Sequence, residues 1–209
     1  AMLEPVNAQS LERAARLLRS GGIVAFPTET YYGLAVDPFN EPALERLFLL
    51  KARPQVKPVL VLVRDQSQIP LLAAHIPAPY HSLMQRFWPG PLTLIFPAVN
   101  ALSDHLSAGT GGVGLRQSPN PVAARLLRAF GGPLTATSAN RSGEASAINA
   151  QQALALFSGH EGLVLDGGAT PGGAGSTVAG LYHGRLRCLR PGKTPFTEVE
   201  AAIAACPDK

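Results

Sequence analysis

The chain of 209 residues has a formal net charge of +4, with 46% hydrophobic and 15% charged residues. This length and hydrophobic content suffice for one buried core, so we predict a single domain over residues 2–209. Ala1 precedes Met2 and is interpreted as an expression scar. The 21 glycines and 19 prolines exclude a helical bundle, while the hydrophobic content excludes a disordered chain.

The charge pattern favours an anionic partner without selecting one. Basic residues are scattered and aromatics make up 6% of the chain, so phosphorylated small molecules fit as well as RNA does. Two cysteines are too few for a disulfide framework, and the five histidines lack zinc-ligand spacing, so we expect no metal held by protein side chains. The sequence has neither a signal-peptide pattern nor an apolar run of membrane-spanning length, which predicts a cytoplasmic protein.

The predicted elements alternate irregularly along the chain. The first helix is expected from an N-cap at Ser10 to Arg19, and the second from about Pro42 to Lys51. Further helices are expected near residues 66–74, 79–87, 120–130, 149–157 and 197–205. Strands are expected at 23–26, 59–63, 92–96, 113–116, 134–137, 163–165, 177–181 and 186–189. Because some strands are close enough for hairpins, we predict an α+β fold of three-layer type, with a mixed twisted sheet flanked by helices.

Two segments between strands are candidate ligand loops. Residues 27–34 follow a buried strand and are polar, which is typical of a site. Residues 167–175 are rich in glycine and lie between two strands, so we predict a mobile flap or ligand loop there. Neither this segment nor Gly192-Lys193-Thr194 has the spacing of a known nucleotide-binding glycine motif.

A cluster of cations follows the second helix. Lys51, Arg53 and Lys57 fall within seven residues, and Pro54 directs Arg53 into an extended conformation. Lys51 and Arg53 can then converge on one anion such as a polyphosphate. The alternative is that basic residues at a helix end simply complement the helix dipole.

Other polar residues lie at the ends of predicted strands. Ser138 and Asn140 are two apart and can face one ligand, although a turn that closes the strand is an equal alternative. Arg116 can clamp a carboxylate, or it can be an ordinary surface arginine.

Because the sequence has no evident pair of nucleophile and base, an enzyme of this kind works by positioning and charge stabilisation, which suits phosphoryl or nucleotidyl transfer.

Eight motifs together resemble the YrdC domain family, specifically its bacterial threonylcarbamoyl-AMP synthases. They are PTETYYGL (27–34), KARPQVKP (51–58), WPGPLTLIF (88–96), GVGLRQSPNP (112–121), PLTATSANRSG (133–143), LDGG (165–168), GSTV (175–178) and LRPG (189–192). The resemblance spans almost the whole chain, and the order and spacing of the motifs together are highly specific. The resemblance implies a YrdC-like fold with a large concave basic cleft.

The resemblance also implies a reaction. L-threonine and bicarbonate or CO2 would condense with ATP to threonylcarbamoyl-AMP and pyrophosphate, for t6A37 modification of tRNA by downstream t6A transferase proteins. Mg²⁺ would be held through the phosphates. By family position, the catalytic residues are Lys51 and Arg53, and the nucleotide-binding residues are Lys51, Arg53, Lys57, Ser138, Asn140, Ser146 and Arg190. The positions that hold threonine are Thr30, Arg116, Ala136 and Ser176.

Two other functions remain as alternatives. One is a YciO-like paralogue or RNA-binding module that keeps the fold without synthase activity, and the intact SAN motif at 138–140 opposes it. The other is carbamoyl transfer, as in the related domain of hydrogenase maturation proteins. The chain lacks the acylphosphatase and zinc-finger segments that accompany that domain.

Overall fold

The computed structural model describes residues 1–52, 54 and 58–204. The predicted site residues Arg53 and Lys57 therefore lie outside the described residues. The described helices are α1 (Ala8–Arg19), α2 (Glu41–Lys51), α3 (Ala78–Phe87), α4 (Asp104–Ser107), α5 (Pro121–Phe130), α6 (Ala150–Leu156) and α7 (Phe196–Ala204). The described strands are β1 (Met2–Pro5), β2 (Val24–Pro27), β3 (Tyr32–Ala35), β4 (Val61–Leu62), β5 (Leu92–Pro97), β6 (Gly112–Arg116), β7 (Leu134–Thr135), β8 (Thr137–Ser138), β9 (Leu163–Asp166), β10 (Thr177–Tyr182) and β11 (Arg185–Arg190).

Helix α1 begins earlier than its sequence signal suggested. Asn7 is the N-cap, and its side chain accepts from the Ser10 amide at 2.8 Å. Ser10 Oγ in turn accepts from the Asn7 amide at 2.9 Å. The prediction of Ser10 as N-cap was therefore wrong by three residues, because Ser10 is the inner partner of a reciprocal capping box.

Two other predictions need correction. Residues 66–74 were expected to form a helix, and the structure has a 3-10 helix, Gln66–Leu71, with Pro70 inside it. Proline cannot donate the backbone bond that an α-helix needs there. The expected polar loop 27–34 also contains the start of β3, where Gly33 is paired with Phe26 of β2.

The described strands form two mixed sheets, ordered β1-β9-β2-β3-β8 and β11-β10-β5-β6-β4-β7. The predicted α+β class with mixed pairing and flanking helices is confirmed, and the strands divide between two sheets where we expected one. Helices α1 and α5 pack against the first sheet in a cluster that includes Leu18, Phe26 and Leu126. The larger core cluster contains residues of both sheets, among them Leu34 and Leu94.

One short segment belongs to both sheets. Thr135 in β7 pairs with Val61 in the second sheet, whereas Ser138 in β8 pairs with Gly33 in the first. Between them, the amide of Ala136 donates to Leu60 O at 3.0 Å. We call residues 134–138 the crossing segment. It explains why the predicted strand 134–137 is divided, and it brings Ser138 to the junction of the sheets.

No helix in the described ranges has both the length and the apolar character that crossing a membrane requires.

Candidate functional site

A cavity of about 470 Å³ opens at the junction of the two sheets. Its walls come from β-strand ends and from loops that are distant in sequence. The predicted site residues that line it are Thr30, Arg116, Ala136, Ser138, Ser146, Ser176 and Arg190. The structure therefore brings together seven residues that the sequence could only assign to separate motifs.

Part of the cavity wall is apolar and closely packed. Leu60, Ile95 and Gly114 all line it. A Cβ atom added at Gly114 would lie 3.3 Å from Ile95 Cδ1 and 3.2 Å from Thr93 Cγ2. A side chain at this position would therefore crowd Thr93 and Ile95, so glycine allows this part of the wall to pack closely.

Arg116 is the most deeply buried cation of the cavity, with 3% of its surface exposed. Its Nη1 donates to Glu29 Oε1, and Ser118 Oγ donates to the other carboxylate oxygen. Burial lowers the pKa of Arg116, the Glu29 carboxylate opposes that shift, and nearby Arg190 lowers the pKa further. Arg116 Nε is buried with no hydrogen-bond partner among the described residues. The guanidinium thus keeps a donor for a ligand.

Arg190 is the second cation of the cavity. It donates from Nη2 to Ser176 O at 2.9 Å and to Ser176 Oγ at 3.1 Å. Burial lowers the pKa of Arg190. The register of β10 and β11 shifts near this point, since Val178 pairs with Arg190 but Ala179 pairs with Cys188. The additional residue, Leu189, marks a β-bulge that lets two consecutive residues face the cavity.

Lys51 lies behind the cavity and is 1% exposed. Its ammonium donates to Ser138 O, to Asn140 O at 2.8 Å and to Asn140 Oδ1 at 3.3 Å. It is not among the described residues that line the cavity. The geometry therefore shows Lys51 holding the turn at 138–140. Its predicted contact with a phosphate stays a prediction.

Asn140 contributes to the same turn. Its amide donates to Arg141 O and Glu144 O, each at 2.8 Å, and its Oδ1 accepts from Ser138 Oγ at 2.6 Å. The turn that the sequence left open as an alternative is therefore present, and Ser138 still reaches the cavity. Asn140 lines a second cleft of about 340 Å³, and Ser146 lines both spaces.

The glycine-rich loop 167–175 is fastened beside the cavity. Tyr32 Oη donates to Gly168 O at 2.8 Å and accepts from the Gly167 amide at 3.3 Å. The Gly172 amide donates to Thr30 O at 2.8 Å. Burial raises the pKa of Tyr32, so its hydroxyl keeps its proton and remains a donor at neutral pH. These bonds tie the predicted flap to residues 30–32.

Replacing Tyr32 with phenylalanine should loosen this loop. The change removes both bonds to the loop and costs about 1 kcal/mol for each neutral bond lost. We expect amides in 167–173 to exchange with deuterium roughly 30-fold faster in hydrogen-exchange mass spectrometry, which corresponds to a total cost of about 2 kcal/mol. Tyr182→Phe, which changes a partly exposed tyrosine of β10, is the control. Unchanged exchange in the Tyr32 variant would show that other bonds hold the loop.

Sequence reasoning missed three residues that support the site. Glu29 lies in the polar loop 27–34 and received no role. Ser118 sits in the motif 112–121 and was not singled out. Lys193 was considered only as part of a phosphate loop, yet its Nζ donates to Glu29 O at 3.0 Å. The acidic residue of the polar loop 27–34 was the sequence signal that could have pointed to this network.

The protein is thus of a class in which a mixed two-sheet α+β fold surrounds a small-molecule cavity lined by a buried arginine, Arg116, and by a second, more exposed one, Arg190. A family model named Sua5_yciO_yrdC, with the description "Telomere recombination", matches residues 16–192. The chain belongs to this family.

Curated relatives carry the name threonylcarbamoyl-AMP synthase. The protein of Pyrococcus abyssi is 36% identical over 96% of this chain and 59% of its own length. That of Bacillus subtilis is 39% identical over 94% of this chain and 57% of its own. The chain therefore spans less than three fifths of these two relatives. The protein of Cellvibrio japonicus is 36% identical, over 85% of this chain and 93% of its own length.

Solved structures agree with the fold. P. abyssi Sua5 complexed with L-threonine superposes with a TM-score of 0.90 at 36% identity, over 97% of this chain and 59% of that one. E. coli YciO gives a TM-score of 0.80 at 21% identity, over 91% and 94% of the two chains, and supports the fold alone. The expected YrdC-like fold is confirmed.

Proposed function

We propose that this protein is a nucleotidyltransferase that makes threonylcarbamoyl-AMP from L-threonine, bicarbonate or CO2, and ATP, with release of pyrophosphate. The observation that carries the proposal is the meeting of both predicted sets of residues in one cavity. Thr30, Arg116 and Ser176 come from the threonine set. Ser138, Ser146 and Arg190 come from the nucleotide set. Relatives with the synthase name, and one solved with L-threonine, support the same assignment.

The threonine half of the site depends on Arg116. Its Nε, which has no partner among the described residues, and its Nη2 can bind a carboxylate side-on. This is a strong and directional interaction. The hydroxyls of Thr30 and Ser176 line the same space and can orient the rest of a small amino acid. Once its amine has combined with CO2, the new carboxylate attacks the α-phosphate of ATP, and pyrophosphate leaves.

The nucleotide half supplies charge stabilisation. In the proposal, Arg190 and the hydroxyls of Ser138 and Ser146 contact the phosphates, and Arg53 and Lys57 add positive charge as pyrophosphate departs. In the proposal, Lys51 and Asn140 also belong to the nucleotide half, and their bonds to Ser138 hold the turn at 138–140 in place.

Magnesium enters this proposal as part of the substrate MgATP. Within residues 1–52, 54 and 58–204, the structure has no group of three His, Cys, Asp or Glu side chains placed to hold a metal ion. A Mg²⁺ ion whose ligands are mostly phosphate oxygens and water molecules suits such a site. We also propose that the product passes to t6A transferase proteins that act on tRNA, which implies a cytoplasmic location.

Purified protein should release pyrophosphate from MgATP only when threonine and bicarbonate are both present. A coupled pyrophosphate assay, with chromatography of the adenylate, measures this directly. Arg53→Ala should remove most of the release, since it deletes a proposed phosphate contact. Release that does not depend on threonine would contradict the proposal.

The RNA-binding alternative makes a different prediction. Affinity for tRNA would then fall steeply with salt and would be nearly unaffected by Ser138→Ala. That result, together with absence of pyrophosphate release, would favour a binding module over a synthase.

A further inference from the structure

We infer that Glu29 is a positioning residue that orients Arg116, so that the Nε edge of the guanidinium faces the carboxylate of the amino-acid substrate. This inference rests on the proposed function and assigns a task to a residue outside the predicted site. Among the described residues, Arg116 lines the cavity and Glu29 does not. Glu29 therefore acts from behind the arginine.

Glu29 is fixed at three points. One carboxylate oxygen accepts from Arg116 Nη1 and the other from Ser118 Oγ. Its main-chain oxygen accepts from Lys193 Nζ at 3.0 Å. The adjoining turn is also closed, because the Thr28 amide donates to Tyr31 O at 3.1 Å. These bonds, and a side chain that is only 13% exposed, hold the Glu29 carboxylate in one position.

The hydrogen bonds of Arg116 divide its guanidinium into two sides. Nη1 is used by Glu29, whereas the buried Nε has no partner among the described residues. A buried donor without a partner is unfavourable, and a ligand oxygen removes that cost. A carboxylate that binds side-on uses Nε and Nη2 together. Glu29 can therefore stay in place while the substrate binds the other side.

Charge gives Glu29 a second effect on the same arginine. Arg116 and Arg190 line one cavity, and their repulsion adds to the cost of burying Arg116. The carboxylate of Glu29 compensates this charge before any substrate arrives. Loss of the Glu29 carboxylate should therefore weaken threonine binding through Arg116, and should affect the more distant nucleotide contacts much less.

The test compares steady-state constants for Glu29→Ala, Glu29→Gln and the wild type. For Glu29→Ala we expect the KM for threonine to rise about tenfold, the equivalent of losing one charge-assisted bond, while the KM for ATP changes less than about twofold. Glu29→Gln keeps an acceptor for Nη1, so its rise should be smaller. Glu45→Ala, an exposed glutamate of α2, is the matched control.

A second comparison separates positioning from general damage. In the inference, the bond from Ser118 Oγ affects threonine through Glu29, so Glu29→Ala/Ser118→Ala should have nearly the same threonine KM as Glu29→Ala. Circular dichroism and thermal melting check that each variant folds. Equal rises in both KM values, or additive effects of the two substitutions, would overturn the inference.

Calorimetric titration with L-threonine keeps this test independent of turnover. If the wild type binds threonine but releases no pyrophosphate, the proposed function fails and Glu29→Ala can still be compared by its dissociation constant. If Glu29→Ala binds threonine as tightly as the wild type, the inference about Glu29 fails although the proposed function stands.

Discussion

Lys51→Ala should reduce pyrophosphate release by about 100-fold or more, because correct placement of reacting groups carries this much of a rate. The Lys51 ammonium binds three oxygens of the turn at 138–140, and the variant leaves them buried without it. Hydrogen bonds to a charged group contribute about 1.5–3 kcal/mol each, so loss of this set should cost about 3 kcal/mol or more. For a chain of this size, that corresponds to a fall in Tm of roughly 6–12 °C.

Two further variants sharpen the test of Lys51. Lys51→Met keeps the aliphatic stem and loses the ammonium, so it should be nearly as damaging as Lys51→Ala. Arg128→Ala removes an exposed cation from α5 and should change neither activity nor melting. Pyrophosphate assays and calorimetric melts measure the outcomes. A Lys51→Met protein with wild-type rate and Tm would show that the turn forms without the ammonium.

Arg116→Ala should raise the KM for threonine by roughly 100-fold, since a bidentate bond between a guanidinium and a carboxylate contributes about 3 kcal/mol. Arg116→Lys should recover little of this, because an ammonium cannot present two parallel donors. The KM for ATP should change much less. Titration with L-threonine, followed by kinetics with threonine varied at saturating ATP and with ATP varied at saturating threonine, measures both effects.

Loss of Arg116 alone leaves the Glu29 carboxylate buried without its cation, so a stability control is needed. The double variant Glu29→Gln/Arg116→Met removes both charges and should fold better than Arg116→Ala. We expect it to melt close to the wild type and still fail to bind threonine. Threonine binding by this folded double variant would refute the role proposed for Arg116.

The sequence predicted most elements because their signals are local. Helix α5 has Asn120 as N-cap, Pro121 at its start and Gly131 at its end, and all three are visible in the sequence. Strand β1 was missed, because a four-residue strand that pairs in parallel with β9 depends on a partner far along the chain. The division into two sheets was missed for the same reason, since Ala136 looks like any other strand residue.

The candidate site was predictable as a set of motifs but not as a geometry. Arg116 and Ser138 were identified from position, and both line the cavity. What could not be predicted is which side each polar group faces. Lys51 points to main-chain oxygens behind the cavity, and Glu29 occupies one side of Arg116. The roles of the predicted site residues, including Arg53 and Lys57, and the single domain over 2–209 stay predictions.

The crossing segment limits how this fold can vary. Thr135 and Ser138 are three residues apart and are paired into different sheets, so their separation is set by both registers at once. An insertion or deletion of one residue between them would turn the side chains at one end of the segment to the opposite face of their sheet. Ser138 would then no longer face the cavity. Changes of length can therefore accumulate in surface loops, whereas this stretch must evolve by substitution alone.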